Sequence, residues 1–126
     1  MSTAQHIEQA RRYLAQAKDS QSRDFHGPAW DDSCRAIYAA FSAAISHARE
    51  TGNPRIYDEA KPSKQINTVK QFKLLPENLI WKAELILERV IEPYHTMVPE
   101  DSDAAIEAAE KVIETVEQQI EPVAEN

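Results

Sequence analysis

Glycine is nearly absent from this chain, with two residues among 126, and this scarcity limits the folds open to it. Soluble proteins average about 7% glycine. Tight β-hairpins and phosphate-binding loops depend on glycine because it adopts positive φ angles at no steric cost. The composition therefore excludes a P-loop, a dinucleotide-binding βαβ fingerprint and most all-β folds.

Every periodic segment of the sequence has the apolar spacing of an α-helix, three or four residues between apolar positions. The predicted helices span residues 3–20, 30–49, 63–76, 77–92 and 102–120. The segment QSRDFHGPAW breaks the pattern and is predicted to be a loop that ends near Pro28. We therefore expect an all-α bundle of four or five helices, forming one domain over residues 1–121 with a frayed tail at 122–126.

Local signals mark several helix ends. Ser2 and Gln5 have the spacing of a capping box, and Gly52 with Pro54 marks the end of the second helix. The fourth predicted helix is apolar over most of its circumference, so it must be covered on more than one side. This helix is expected to be either central in the fold or part of a subunit interface, and we predict a homodimer on that basis.

Metal and membrane chemistry have little support in the sequence. The four histidines and the single Cys34 show no metal-ligand spacing, and we predict neither a metal nor another cofactor. No run of apolar residues is long enough for a membrane span, and the first residues do not resemble a signal peptide, so a cytoplasmic location is expected. Trp30, Cys34 and Trp81 occupy apolar helical positions that favour packing, whereas His26 is predicted to be a surface residue.

Charge is distributed unevenly along the chain. Residues 1–82 carry a net charge of +3 and residues 83–126 a net charge of −10. Basic residues concentrate between Arg55 and Lys82, and the candidate nucleic-acid-binding residues in this stretch are Lys61, Lys64, Lys70 and Lys73. The alternative interpretation is a solvated lysine face that lies opposite the acidic fifth helix of a partner.

Two segments of the chain resemble a known family. The runs WDDSCRAIYAAFSAAISHA and ERVIEPYHTMVPEDSDAAIEAAEKVIETV are similar to the second helix and the C-terminal half of HEPN domains, small helical domains associated with nucleotides and RNA. Together the two runs cover roughly half of the chain. The resemblance implies an all-helical fold and a prokaryotic defence or toxin–antitoxin type of system.

The same resemblance implies a candidate active site. Active HEPN proteins are metal-independent ribonucleases with an R-x4-6-H motif, and Arg89 and His95 fit it as R-x5-H. An imidazole is suited to transfer the 2′-hydroxyl proton, and a guanidinium to neutralise charge on the phosphorane. The sequence departs from the family at Val90, where Asn, Asp or His is common, and at Pro93 inside the spacer. A structural ion pair between Arg89 and Glu92 is the alternative role.

The sequence indicates two functions from different classes. The first is a HEPN-like ribonuclease or protein that binds RNA or nucleotide, with Arg89 and His95 as catalytic residues. The second is a non-catalytic helical module that binds a partner protein, for which a toxin or nucleotidyltransferase similar to the usual companions of HEPN domains is an example. The acidic C-terminal third and the missing second polar residue of the motif favour the second function.

Overall fold

The computed structural model describes residues 1–52, 56, 62–89 and 97–120, and these residues contain five helices and no strand. The helices are α1 (Thr3–Ser22), α2 (His26–Glu50), α3 (Pro62–Gln71), α4 (Glu77–Glu88) and α5 (Pro99–Ile120). The predicted all-α bundle is confirmed. His95, Lys61 and the predicted tail 122–126 lie outside the described residues.

Helix α2 forms the centre of the bundle, since it contacts each of the other four helices. Its buried face is rich in alanine, and the buried residues are Ala29, Ala36, Ala39, Ala40, Ala43 and Ala44 together with Trp30, Ser33, Ile37, Phe41 and Ile45. Small side chains let neighbouring helix axes approach closely, while Phe41 and the isoleucines fill the space between them. A central position is one of the two alternatives predicted for the fourth helix. That alternative is wrong, because the central helix is α2.

The predicted loop between the first two helices is much shorter in the structure. Helix α1 continues to Ser22, and α2 already begins at His26, so only Arg23, Asp24 and Phe25 connect them. Pro28 lies in the first turn of α2, where a missing N–H costs no intrahelical hydrogen bond. Asp24 adopts a left-handed φ of 62°, and Phe25 N–H donates to Ser20 O at 2.9 Å, which ends α1 in a Schellman motif.

The fifth helix begins earlier than predicted. It starts at Pro99, and the Asp101 carboxylate accepts a hydrogen bond from the Val98 N–H at 3.0 Å. Proline is favoured at the first position of a helix, and an acidic residue two positions later complements the exposed N–H groups. Ser102, the predicted cap, is instead a buried residue of the first turn, and its hydroxyl donates to Pro99 O at 3.1 Å.

Helix α4 leaves part of its apolar surface uncovered. Leu79, Ile80 and Ala83 face the core, whereas Trp81 is 61% exposed and Leu85 is 52% exposed. The neighbours of α4 within the described residues are α2, α3 and α5.

None of the five described helices combines the length and the apolar character needed to cross a membrane.

Lys73 provides a test of the backbone conformation that ends α3. It has a φ of 51°, and Leu74 N–H donates to Val69 O at 3.0 Å, again a Schellman motif. A side chain in this left-handed region is strained, so Lys73→Gly is expected to stabilise the fold by about 0.5–1 kcal/mol. Lys70→Gly, the same replacement within α3, should destabilise it by at least about 1 kcal/mol, because glycine disfavours the helix and the ion pair of Lys70 with Glu84 is lost. Urea unfolding measures the change in the free energy of unfolding for both variants. Changes of the same sign would contradict the left-handed conformation of Lys73.

Candidate interaction face and the Arg89 cluster

The outer side of α4 is an exposed apolar surface. Trp81 and Leu85 are one helical turn apart, so their exposed side chains form a continuous apolar ridge. The predicted packing role is therefore wrong for Trp81 and correct for Trp30, which is 4% exposed. The sequence did carry a signal for this surface, because apolar residues surround most of the fourth helix.

A cleft lies on the α3 side of this ridge. It has a volume of about 420 Å³ and is lined by Lys70, Lys73, Leu75, Glu77, Ile80, Trp81 and Glu84. Lys70 forms an ion pair with Glu84 across the cleft. The two lysines and two glutamates of the lining balance in charge. Of the predicted nucleic-acid-binding residues, the structure brings Lys70 and Lys73 together here, whereas the exposed Lys64 does not line the cleft.

A second, shallower groove lies on the α5 side of the ridge. It has a volume of about 250 Å³ and is lined by Lys82, Leu85, Ile86, Ala104, Glu107, Ala108 and Lys111. Ala104 and Ala108 are one turn apart on α5, so this part of the groove has short side chains. The ridge on α4 is thus flanked by a hollow on each side.

Arg89, the predicted catalytic arginine, is held by contacts within the domain. Its Nη1 donates to Asp101 Oδ1 at 2.6 Å, and its guanidinium carbon lies 5.2 Å from the centroid of the Trp30 ring. Asp101 is the carboxylate that caps α5, with a side chain only 13% exposed. The arginine therefore links the end of α4 to α2 and to the first turn of α5 through a charged hydrogen bond and a cation–π contact.

The Arg89 contacts predict a measurable effect on stability. Arg89→Ala is expected to lower the free energy of unfolding by about 1–2 kcal/mol, because it removes both the cation–π contact and the ion pair. Arg12→Ala is the matched control, since Arg12 pairs with Glu8 on a fully exposed face of α1 and should cost under about 0.5 kcal/mol. Guanidinium unfolding gives both values. A loss no larger for Arg89 than for Arg12 would contradict the linking role.

A hydrogen-bonded cluster next to Asp101 involves His26. The imidazole Nδ1 lies 3.0 Å from Ser102 Oγ, and Gln21 Nε2 lies 3.3 Å from the same oxygen. The predicted surface position of His26 is wrong, because its side chain is only 14% exposed. Since the Ser102 hydroxyl donates to Pro99 O, we assign the proton to Nδ1 of His26. The cluster ties the ends of α1 and α2 to α5.

Cys34, predicted to pack in the core, is only partly buried. Desolvation by burial raises the pKa of its thiol to about 12, with a smaller contribution from the nearby Asp31 carboxylate. A thiol with such a pKa is protonated at neutral pH and is a poor nucleophile.

Within the described residues, no three His, Cys, Asp or Glu side chains come together in a way that would hold a metal ion.

Comparison of the chain with models of protein families, with curated proteins and with solved structures finds no match. We therefore infer the function of this chain from its own residues and geometry. The similarity to HEPN domains stays a prediction.

Proposed function

We propose that this protein is a non-catalytic helical interaction module that binds a partner protein through the outer face of α4. The observation that carries the proposal is the exposure of Trp81 and Leu85 side by side on one helix. Tryptophan is the residue type most enriched among side chains that dominate the free energy of protein–protein binding. Protein–protein interfaces have an apolar core and a polar rim, and the apolar ridge with charged residues in the hollows on both sides matches this arrangement.

The electrostatics of this face support a protein partner over a polyanion. The α3–α4 cleft carries equal numbers of lysines and glutamates, and the whole chain has a net charge of −7. Binding to nucleic acid is driven largely by neutralisation of phosphates, which requires a local excess of positive charge. Arg89, the arginine nearest to the C-terminal end of α4, already pairs with Asp101.

Photo-crosslinking in cells tests the proposal. A chain with a photoreactive phenylalanine derivative in place of Leu85 is expected to give a discrete cross-linked product heavier than the 14.3 kDa chain. The mass of the product and its peptides identify the partner. The matched control carries the same derivative in place of Phe25, which is 56% exposed in the α1–α2 connection. No product from position 85, or the same products from both positions, would refute the α4 face as a binding surface.

A second candidate function is RNA binding or metal-independent RNA cleavage of the HEPN type. The observation that favours it is the position of Lys70 and Lys73 beside the exposed indole of Trp81 in one cleft. An exposed aromatic ring next to basic side chains is the arrangement with which proteins stack bases and contact phosphates. In this function Arg89 and His95 remain the proposed catalytic residues, and the ion pair of Arg89 with Asp101 would have to open when substrate binds.

A further inference from the structure

The exposed residues of α4 repeat in the pattern of one strand of a coiled coil. Trp81 and Leu85 take the d and a positions of a heptad, and Asn78, also exposed, takes the preceding a position. Counting from them, Lys82 falls at an e position and Glu77 at a g position. Residues at e and g flank the apolar seam of a coiled coil and determine which helices pair and in which orientation.

We propose that the partner bound at this face is a second copy of the same chain, with the two α4 helices parallel around a two-fold axis that runs along them. This inference rests on the proposed function, because it names the occupant of the same face. In a parallel pair, a g residue of one helix faces the e residue of the next heptad in the other. Glu77 of each copy then lies opposite Lys82 of the other, which gives two ion pairs of opposite charge by symmetry.

The helices on either side of α4 support this orientation. Helix α4 contacts both α3 and α5, whereas α3 and α5 do not contact each other in the described structure. Glu77 lines the cleft on the α3 side of the ridge, whereas Lys82 lines the groove on the α5 side. A two-fold axis along α4 places the α3 side of one copy opposite the α5 side of the other, so Glu77 of each copy meets Lys82 of the other. An antiparallel arrangement would place the two α3 sides together and the two α5 sides together, which separates Glu77 from Lys82 of the other copy.

The polar residues at the ends of the seam are compatible with a short contact. A polar asparagine at an a position, as Asn78 would be, favours a defined register. Glu88 takes the last d position of α4, and the carboxylates of two copies would repel each other at close range. Helices that pack at about 20° diverge away from their point of closest approach. A contact centred on Trp81 places Glu88, seven residues further along α4, at its end.

Sedimentation equilibrium of the purified full chain tests the proposal. The wild-type protein is expected at twice 14.3 kDa at concentrations of about 100 µM, and Leu85→Asp should leave it monomeric. Glu77→Lys and Lys82→Glu should each raise the dissociation constant of the dimer by about tenfold, since either change turns both symmetry-related ion pairs into pairs of like charge. The double exchange Glu77→Lys with Lys82→Glu restores opposite pairs and should return the dissociation constant to within about threefold of wild type.

The controls separate this proposal from the proposed function. Arg12→Glu, a charge reversal on α1, should leave the dimer unchanged, and circular dichroism shows whether each variant retains its helices. A wild-type monomer at several hundred micromolar, or no recovery in the double exchange, would overturn the pairing with a second copy. If the wild-type protein is monomeric and cross-linking at position 85 yields a different protein, the interaction module stands with another partner. Absence of both dimer and cross-link overturns both proposals.

Discussion

Phe41→Ala is expected to lower the free energy of unfolding by about 3–5 kcal/mol. Phe41 is completely buried on α2, the helix that contacts all the others. Its removal takes apolar surface out of the core and leaves a cavity that the alanine-rich helices around it cannot fill by moving closer. Since domains of this size have a total stability of about 5–15 kcal/mol, the variant is expected to be partly unfolded at 37 °C.

Chemical denaturation followed by circular dichroism measures this loss. Phe25→Ala is the matched control, because it removes the same ring from an exposed position in the α1–α2 connection. A substitution of that kind changes stability by no more than about 0.5 kcal/mol. Similar losses for the two variants would show that α2 does not organise the core as described.

His95→Ala is expected to lower RNA cleavage by about 100-fold or more if the second candidate function is correct. A general acid or base contributes roughly 10²- to 10⁴-fold to such reactions, and the proposed mechanism assigns that role to the His95 imidazole. Cleavage by the wild-type protein should persist in the presence of a chelator, since no step depends on a metal. Incubation of single-stranded RNA with wild-type and variant protein measures both effects.

His6→Ala is a suitable control for this experiment, because His6 lies on α1, a helix that does not contact α4 in the described structure. Cleavage that a chelator abolishes, or that His95→Ala leaves unchanged, would refute the mechanism. If the wild-type protein neither cleaves nor binds RNA, the interaction module is the remaining function. Arg89→Ala is less informative in this assay, because it also removes the contacts with Asp101 and Trp30.

Features that depend on neighbouring residues can be predicted from the sequence. The capping box of Ser2 and Gln5 is present with both hydrogen bonds, and Gly52 follows α2 with a φ of 126°. The helical class, the number of helices and the apolar stripe of α2 also follow from residue spacing. These features are local, since a helix and its caps are specified by side chains within a few positions of each other.

Which apolar surfaces are covered depends on the tertiary fold and cannot be predicted from residue spacing. Helix α2 has a broad apolar stripe and α4 is apolar over most of its circumference, yet α2 lies at the centre and α4 leaves Trp81 and Leu85 exposed. Likewise, Arg89 donates to Asp101, twelve residues away, and His26 is bound to Ser102 on a different helix. Apolar periodicity shows which faces can be buried, but the choice among them depends on contacts between residues far apart in the chain, which arise only when the helices pack together.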